Sequence, residues 1–410
     1  MDPTLALRPP VIRRRRLPDW KQLPPPHDLL EVSVVMPVRD EARRLPAALR
    51  SLAAQRDADG APFDPDRFEV IVLANNCSDD SAAIVRRFAA RRPRLRLHVV
   101  EVVFPAAVAH VGHARACLMN EAWRRLSTTG GRSGVIASTD GDTRVDPGWL
   151  AATLAEVHAG ADAVGGRIVM DADADRLPAL ARYTCRDDVY QRLRSRLEHE
   201  IDPDPVDPWP RHHQHFGASL AITTRAYGHV GGLPAEPFLE DEALYQALRG
   251  HDLKVRHSKK VSVVTSSRWH GRVAVGLSWQ LREWASLARA GADAHVVDPV
   301  AWAEEIALRR RLRSAWAATA PRSQAAEQRL QRLAESLGVP ARWLAKRVAA
   351  GGPFGTLWRE VTTRRARTVP PPPPVSMRDA INAMRLLLAR QRSKADARAG
   401  RAGSSRAASR

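Results

Sequence analysis

Between residues 32 and 139, short apolar runs alternate with segments of helical periodicity, and this alternation constrains the fold more than any other feature of the chain. The apolar runs that are predicted to be buried strands span residues 32–36, 69–74, 95–100 and 134–139. Strands that alternate with helices form a largely parallel sheet covered on both faces. We therefore predict an α/β fold with a mixed, mainly parallel sheet flanked by helices and followed by a helical C-terminal extension.

Polar residues follow three of these apolar runs, at the point where each predicted strand ends. They are Pro37–Asp40, Asn75–Asp80 and Asp140–Asp142. In open α/β sheets, ligands bind at the carboxyl ends of the strands. The sequence therefore predicts a binding site where these three segments converge.

The segment Asp140-Gly141-Asp142 places two carboxylates one residue apart directly after a predicted strand. Mg²⁺ and Mn²⁺ prefer oxygen ligands and usually take one or two protein carboxylates together with phosphate oxygens and water. A solvated turn, in which one acid caps the chain locally, is the alternative. The position at the end of a strand favours the metal site.

Two further motifs place charged or titratable side chains at the ends of predicted elements, one at the start of a helix and one after a strand. The acids Glu240 and Asp241 open a predicted helix, where they complement its dipole or, in the functional interpretation, supply a general base. Arg268 and His270 follow a predicted strand. Arg268 faces either a diphosphate or solvent, and His270 is either a third metal ligand or a neutral surface imidazole.

Several common site types are disfavoured. No GxGxxG follows a predicted strand and no GxxxxGK[ST] occurs, which argues against dinucleotide binding and P-loop hydrolysis. The segment 212–215, His-His-Gln-His, lacks a matching downstream ligand pair for zinc. The three cysteines form no CxxC pair, which suits a reducing compartment. With no apolar run of about 18 residues, the simplest expected location is the cytoplasm.

The net charge of +19 is concentrated at the two ends of the chain. Residues 364–410 contain twelve Lys and Arg against two acids, and residues 1–20 contain five against two. This distribution says little about the folded core, and we expect no specific binding of nucleic acid. The sequence predicts a flexible arm over 1–30, a main domain over 31–290, a helical extension over 291–363, and a basic, largely disordered tail over 364–410.

Five segments, in this order, resemble family 2 glycosyltransferases, the inverting nucleotide-sugar enzymes of the GT-A fold. They are VSVVMPVRDEARRLPAALRSLAAQ, EVIVLANNCSDDSAAIVRRFA, STDGDTRVDPGWL, FGASLAITTRAYGHVGGLP and FLEDEALYQALRG. The resemblance covers roughly residues 31–275. It implies a GT-A type Rossmann-like fold and a hexosyltransferase that moves a sugar from a nucleotide-diphosphate sugar to an acceptor hydroxyl with Mg²⁺ or Mn²⁺.

The resemblance also implies roles for individual residues. Asp142 would be the principal metal ligand, and Asp140 would contact the ribose or the metal. Asp241 would be the catalytic base, supported by Glu240. The nucleoside pocket would be lined by Pro37, Arg39, Glu41, Asn75 and Asp79. The segment Arg268-Trp269-His270 resembles segments of related retaining enzymes that make glycosyl-phosphoglycerate, in which the histidine completes the metal site.

Three alternatives stay open at this point. A retaining subgroup shares the architecture, so inversion by Asp241 is one of two outcomes. The chain could instead bind nucleic acid or an anionic membrane through its basic ends, or be a catalytically degenerate GT-A scaffold. The basic tail could also hold an active enzyme near an anionic membrane or polymer acceptor, or simply be disordered.

Overall fold

The computed structural model describes residues 18–129, 134–171, 178–268, 275–318 and 323–407. The chain divides into two compact units. The first contains Met1–Asp175, Gln214–Arg249 and Leu253–Arg282, and the second contains Arg176–His213, Gly250–Asp252 and Glu283–Arg410. The second unit thus includes residues 176–213, which the sequence places within the predicted domain 31–290.

The strands are β1 (Val32–Val38), β2 (Phe68–Asn75), β3 (Leu97–Val102), β4 (Val135–Ser138), β5 (Thr143–Val145), β6 (Ala163–Met170), β7 (Leu220–Thr223), β8 (Val255–Thr265), β9 (His295–Val296) and β10 (Val375–Ser376). The α-helices up to residue 290 are α1 (Leu45–Ala53), α2 (Ser81–Ala90), α3 (Val111–Thr128), α4 (Trp149–His158), α5 (Pro178–Ile201), α6 (Thr224–His229), α7 (Glu240–Gly250) and α8 (Leu277–Ala290). The C-terminal helices are α9 (Pro299–Ala317), α10 (Gln324–Leu337), α11 (Ala341–Ala350), α12 (Phe354–Arg365) and α13 (Met377–Ala407).

The first unit contains an eight-stranded sheet in the order β3-β2-β1-β4-β7-β6-β8-β5. Strands β3, β2, β1 and β4 are parallel neighbours, as are β6 and β8, whereas β7 and β5 run antiparallel to their neighbours. The structure confirms the predicted α/β class, with a mixed and mainly parallel sheet flanked by helices. Because β1, β2 and β4 are parallel neighbours, their carboxyl ends meet at one edge of the sheet.

Residues of β1 alternate between two apolar clusters of the first unit, as the two-residue period of a strand requires. Val34 and Met36 pack with Leu49 of α1 in one cluster. Val35 packs with Leu118 of α3 in the other. All seven residues of β1 are buried, which explains why the sequence shows a continuous apolar run instead of a polar–apolar alternation.

Strand β5 is an element that the sequence does not suggest, because it has only three residues and includes the exposed Arg144. It follows Asp142 directly and pairs with the end of β8, with Thr143 opposite Thr265. The hydroxyl oxygens of these two threonines lie 2.9 Å apart. This pairing joins the Asp140–Asp142 segment to the residues that follow β8.

The second unit is helical and has an apolar cluster of its own. Leu312 of α9, Leu337 of α10, Leu344 of α11 and Leu357 of α12 are among its buried members. Helix α13 packs against α5 and α9. No helix within the described residues is both long and apolar enough to span a membrane.

The predicted arm and the predicted tail both include described residues that pack against other elements. Residues 1–17 of the predicted arm lie outside the described residues, but Trp20 and Leu23 pack against the cluster that contains α3. In the predicted tail, β10 pairs with β9 and is followed by α13. Met377 and Met384 of α13 are buried, because apolar residues recur at helical spacing in this part of an otherwise basic segment.

Candidate active site

A cavity of about 470 Å³ lies at the edge of the sheet where β1, β2 and β4 end. This volume is within the range of small-ligand sites, roughly 300–1,000 Å³. The lining residues are Pro37–Arg39, Glu41, Asn75, Ala109–Val111, Asp140–Asp142 and a last group that lies before α7, at and after the end of β8, and around the start of α8. The last group consists of Pro237, Phe238, Thr265, Ser266, Arg268 and Val275–Ser278.

The cavity brings together most of the residues that the sequence predicts for the site. Those that line it are Pro37, Arg39, Glu41, Asn75, Asp140, Asp142 and Arg268. Glu240 and Asp241 lie at the start of α7, directly after the lining residue Phe238 and the next residue Leu239. His270 lies outside the described residues.

The backbone is strained at three points around this edge. Asp40 after β1, Asn76 after β2 and Leu239 before α7 have φ angles of 48°, 51° and 59°. The left-handed region is unfavourable for residues other than glycine, and especially for a bulky Leu. Such strain concentrates at functional sites, where the surrounding structure maintains it.

Asp79 does not line the cavity, and its carboxylate joins the loop after β1 to the start of α2. Its Oδ2 accepts a hydrogen bond from the Ala42 backbone N–H at 2.8 Å and its Oδ1 accepts one from Ser81 N–H at 2.9 Å. Asp40 accepts from Ser78 N–H at 2.6 Å. Ligand atoms of Asp40, Cys77 and Asp79 lie within 4.8 Å of one another and are a possible metal group, although these backbone bonds already use both aspartates.

Asp140 and Asp142 have different surroundings, although only Gly141 separates them. Asp140 is bound by Arg115, whose Nη2 lies 2.6 Å from Asp140 Oδ1. The Asp142 side chain is 12% exposed and lies 3.3 Å from Nη2 of Arg268. Gly141 permits the close approach of this loop to β1, because a Cβ atom at this position would lie 2.9 Å from Cγ2 of Val38.

The donor atoms around Asp142 fit a divalent cation. Burial, followed by the charges of Asp140 and Glu41, raises the pKa of Asp142 to about 6, while Arg268 opposes this rise. A cation would relieve this excess of negative charge, and carboxylates are the ligands that Mg²⁺ and Mn²⁺ prefer. Asp142 lines the cavity, so phosphate oxygens of a ligand could complete the coordination.

Arg268 is fixed by Glu41 at the end of β1. Its Nη1 and Nη2 donate to the two oxygens of Glu41 at 2.8 and 2.6 Å. Burial would lower the pKa of Arg268, but the bonds to Glu41 and the charge of Asp142 raise it above its ordinary value. A permanently charged, bidentate guanidinium therefore lies beside Asp142, in a position suited to a phosphate group.

Glu240 and Asp241 are oriented by residues that the sequence analysis did not identify. Nη1 of the buried Arg115 lies 2.7 Å from Oε1 of Glu240. Asp241 Oδ2 accepts a hydrogen bond from Gly217 N–H at 2.8 Å. Burial raises the pKa of Glu240, while the charge of Arg115 lowers it. Arg115 gave no signal in the sequence, because an arginine within a helix is usually on its solvated face.

Sheet, cavity and acids together define an α/β protein with an oxygen-rich ligand site at the carboxyl edge of its strands. Residues 33–209 match the family model described as Glycosyl transferase family 2. This match confirms the resemblance predicted from the sequence over the matched residues, which are fewer than half of the chain. It includes β1, β2 and the Asp140–Asp142 loop, and it ends before α7 and Arg268.

Solved structures with similarity to the chain include TarS and a mannosyltransferase. The Staphylococcus aureus (S. aureus) protein TarS, residues 1–349 in complex with UDP, is 15% identical, with a TM-score of 0.41 over 82% of this chain and 89% of that one. The mannosyltransferase PcManGT of Pyrobaculum calidifontis, in complex with GDP-Man and Mn²⁺, is 18% identical, with a TM-score of 0.41 over 85% of this chain and 88% of that one. At these TM-scores the likenesses assign neither fold nor ligand to this chain. No curated protein matches the chain significantly.

Proposed function

We propose that the chain transfers a sugar from a nucleotide-diphosphate sugar to an acceptor hydroxyl, with Mg²⁺ or Mn²⁺ as cofactor and inversion at the anomeric carbon. The observation that carries this proposal is the convergence of Asp142, Arg268 and Asn75 on one cavity at the carboxyl edge of strands that the family 2 match includes. The carboxylates of Asp140 and Asp142, a fixed guanidinium and an amide are groups suited to a metal-bound diphosphate and a nucleoside.

In this proposal the donor is held by the loops after β1, β2 and β4. Pro37, Arg39 and Asn75 contact the nucleoside, and Asp140 contacts the ribose or the metal. Arg39 donates to the Ala109 carbonyl at 3.1 Å, which fixes its side chain across the cavity. Asp79 contributes by holding the loops that carry these residues.

Asp142 is the principal metal ligand of the proposal. A bound divalent cation would neutralise the diphosphate as the bond to the sugar lengthens. Arg268 lies 3.3 Å from Asp142 and adds a second positive charge on the leaving group. Glu41 orients Arg268 through the two hydrogen bonds described above.

Asp241 is the proposed general base. The acceptor hydroxyl oxygen forms a bond to the anomeric carbon from the face opposite the diphosphate, and its proton passes to Asp241. The bond between the anomeric carbon and the diphosphate oxygen breaks, and its electron pair leaves with the nucleoside diphosphate. Gly217 N–H orients Asp241, and Glu240 supports it through Arg115.

The test is a screen of UDP-, GDP- and dTDP-sugars with Mn²⁺ or Mg²⁺, in which the melting temperature of the protein is measured. A ligand that binds only the folded state must raise this temperature. We expect one nucleotide class to do so only with metal present, and to be hydrolysed slowly. Binding without any turnover would favour the degenerate scaffold, and no response to any nucleotide would contradict the proposal.

A further inference from the structure

The proposed transfer requires the donor-binding loop and the acceptor base to keep a fixed separation, and one buried side chain lies between them. Arg115 of α3 is only 3% exposed. One end of its guanidinium lies 2.6 Å from Asp140, and the other lies 2.7 Å from Glu240. Arg115 thus joins segments that are 25 and 125 residues away along the chain.

A second connection runs through Gly217. A Cβ atom on Gly217 would lie 1.9 Å from Nη1 of Arg115, so the guanidinium occupies the space where a side chain would be. The same Gly217 donates its N–H to Asp241 and accepts a hydrogen bond from the Ser138 hydroxyl at 2.8 Å. A shift of Arg115 therefore shifts the peptide that orients Asp241.

The charge and shape of arginine suit this position. Asp140, Glu240 and Asp241 all act on Arg115 by their charges. A guanidinium remains charged in proteins and can donate to two carboxylates in fixed directions, whereas the ammonium of lysine is a single point of charge on a flexible stem. Lysine at this position would keep the charge but could not maintain both contacts.

We propose that Arg115 is a positioning residue for the transfer reaction, because it fixes the Asp140 loop relative to the acceptor base Asp241 through Glu240 and Gly217. This inference rests on the proposed function, since it takes the roles of the Asp140–Asp142 loop and Asp241 from there. Arg115 itself is not proposed to touch the substrate. Its replacement should therefore slow the reaction much more than it weakens donor binding.

The experiment compares Arg115→Lys and Gly217→Ala with the control Gly148→Ala in the full chain. A Cβ atom on Gly148 would lie 3.5 Å from Asp146 Oδ1, an ordinary contact. The probes are UDP-glucose and GDP-mannose with Mn²⁺, and water serves as the acceptor. We measure nucleotide-sugar dissociation constants by calorimetry, kcat of hydrolysis, and the melting temperature.

For both test variants we expect dissociation constants within about threefold of the wild-type value and kcat lowered by about 100-fold, the scale of a misplaced reacting group. Gly148→Ala should match the wild type in both. Unchanged kcat in the folded variants would overturn the inference, as would a fall in donor binding as large as the fall in kcat. Loss of folding in Arg115→Lys as well as Gly217→Ala would make the role structural and would also overturn it.

The design separates this inference from the proposed function. A wild-type protein that binds or hydrolyses no nucleotide sugar contradicts the proposed function, and the inference about Arg115 falls with it. A wild-type protein that hydrolyses the donor, together with variants that hydrolyse it equally fast, contradicts only the role of Arg115. The deciding measurement compares the fall in kcat with the change in the dissociation constant for each variant.

Discussion

The two compact units both bury arginines and carboxylates, but they pair these charges differently. In the helical unit, Asp202 accepts hydrogen bonds from Arg309 at 2.9 Å and from Arg313 at 3.0 Å. Arg309 also binds Glu198 at 2.8 Å. In the sheet-containing unit, Asp142 lies 3.3 Å from Arg268 and lines a cavity together with Asp140 and Glu41.

The difference shows that burial of charge alone does not mark a functional site. The helical cluster matches its acids with arginines at hydrogen-bond distance, as a stabilising network requires. At the cavity, burial and then the charges of Asp140 and Glu41 raise the pKa of Asp142, and this combination suits a cation from outside the protein. The informative observation is therefore a buried carboxylate whose negative charge is incompletely compensated by nearby arginines.

The largest expected effect is the loss of activity in Asp142→Ala. Removal of the principal metal ligand should lower sugar transfer at least about 1,000-fold, because metal stabilisation of the leaving group contributes several kcal/mol. The fold should be intact. The measurement is product formation together with circular dichroism, and EDTA should inhibit the wild type to a similar degree. Full metal-dependent activity in this variant would show that the assignment is wrong.

The next effect is the loss of stability in Asp202→Ala. Removal of this buried acid leaves Arg309 and Arg313 without their shared partner, which should lower the free energy of unfolding by about 3–5 kcal/mol. Urea denaturation measures this change. The control is Asp188→Ala on α5, the helix that ends just before Asp202, where the exposed side chain should contribute less than about 0.5 kcal/mol. Equal losses in the free energy of unfolding for the two substitutions would show that the paired charges of the helical unit do not stabilise it.

The third effect is a gain of stability in Asp142→Asn with metal chelated. The pKa of Asp142 is raised from 3.8 to about 6, so the folded state loses stability as pH rises through this interval and the carboxyl group ionises. At pH 7 the Asn variant should be more stable than the wild type by about 1–3 kcal/mol, and at pH 3 the two should agree. Thermal unfolding at both pH values in EDTA provides the measurement. A wild type more stable than the variant at pH 7 would contradict it.

The smallest effect is the weakening of donor binding in Arg268→Lys. Lysine keeps the charge but loses the two parallel bonds to Glu41, so the nucleotide-sugar dissociation constant should rise by about tenfold. Calorimetry with the donor found in the screen measures it. Arg144→Lys is the control, because neither Arg144 nor its exposed partner Asp171 lines the cavity. An equal rise in the control would refute a specific role of Arg268.

The sequence predicts the proposed donor side of the cavity better than the proposed acceptor side. Asp140 and Asp142 are recognisable because the strand, the turn and both acids lie within a few adjacent residues, and Asn75 is placed by the strand before it. The contacts of Arg115 with Asp140 and Glu240 join residues distant in the sequence, and no local pattern encodes them. The left-handed conformation of Leu239 is equally invisible, because local preference argues against it.

The secondary structure differs in the same way, because some elements follow from a local sequence pattern and others depend on pairing with distant residues. The buried strands β1 and β2 were predicted from their continuous apolar runs, whereas β5 depends on pairing with β8 and has too few residues to form a pattern. Helix α13 lies in the basic tail, yet its apolar residues recur at helical spacing. Basic residues dominate this segment, although Met377, Ala380 and Met384 are buried.

The short pairing of β5 with β8 makes the site sensitive to chain length. Thr143 lies opposite Thr265, and each threonine is within three residues of a proposed ligand-binding side chain, Asp142 and Arg268. Side chains alternate between the two faces of a strand, so a slip of one residue turns every following side chain to the opposite face. An insertion between Asp142 and Thr143 should therefore be far more damaging than a substitution of Arg144, and engineered loops are best placed elsewhere in the chain.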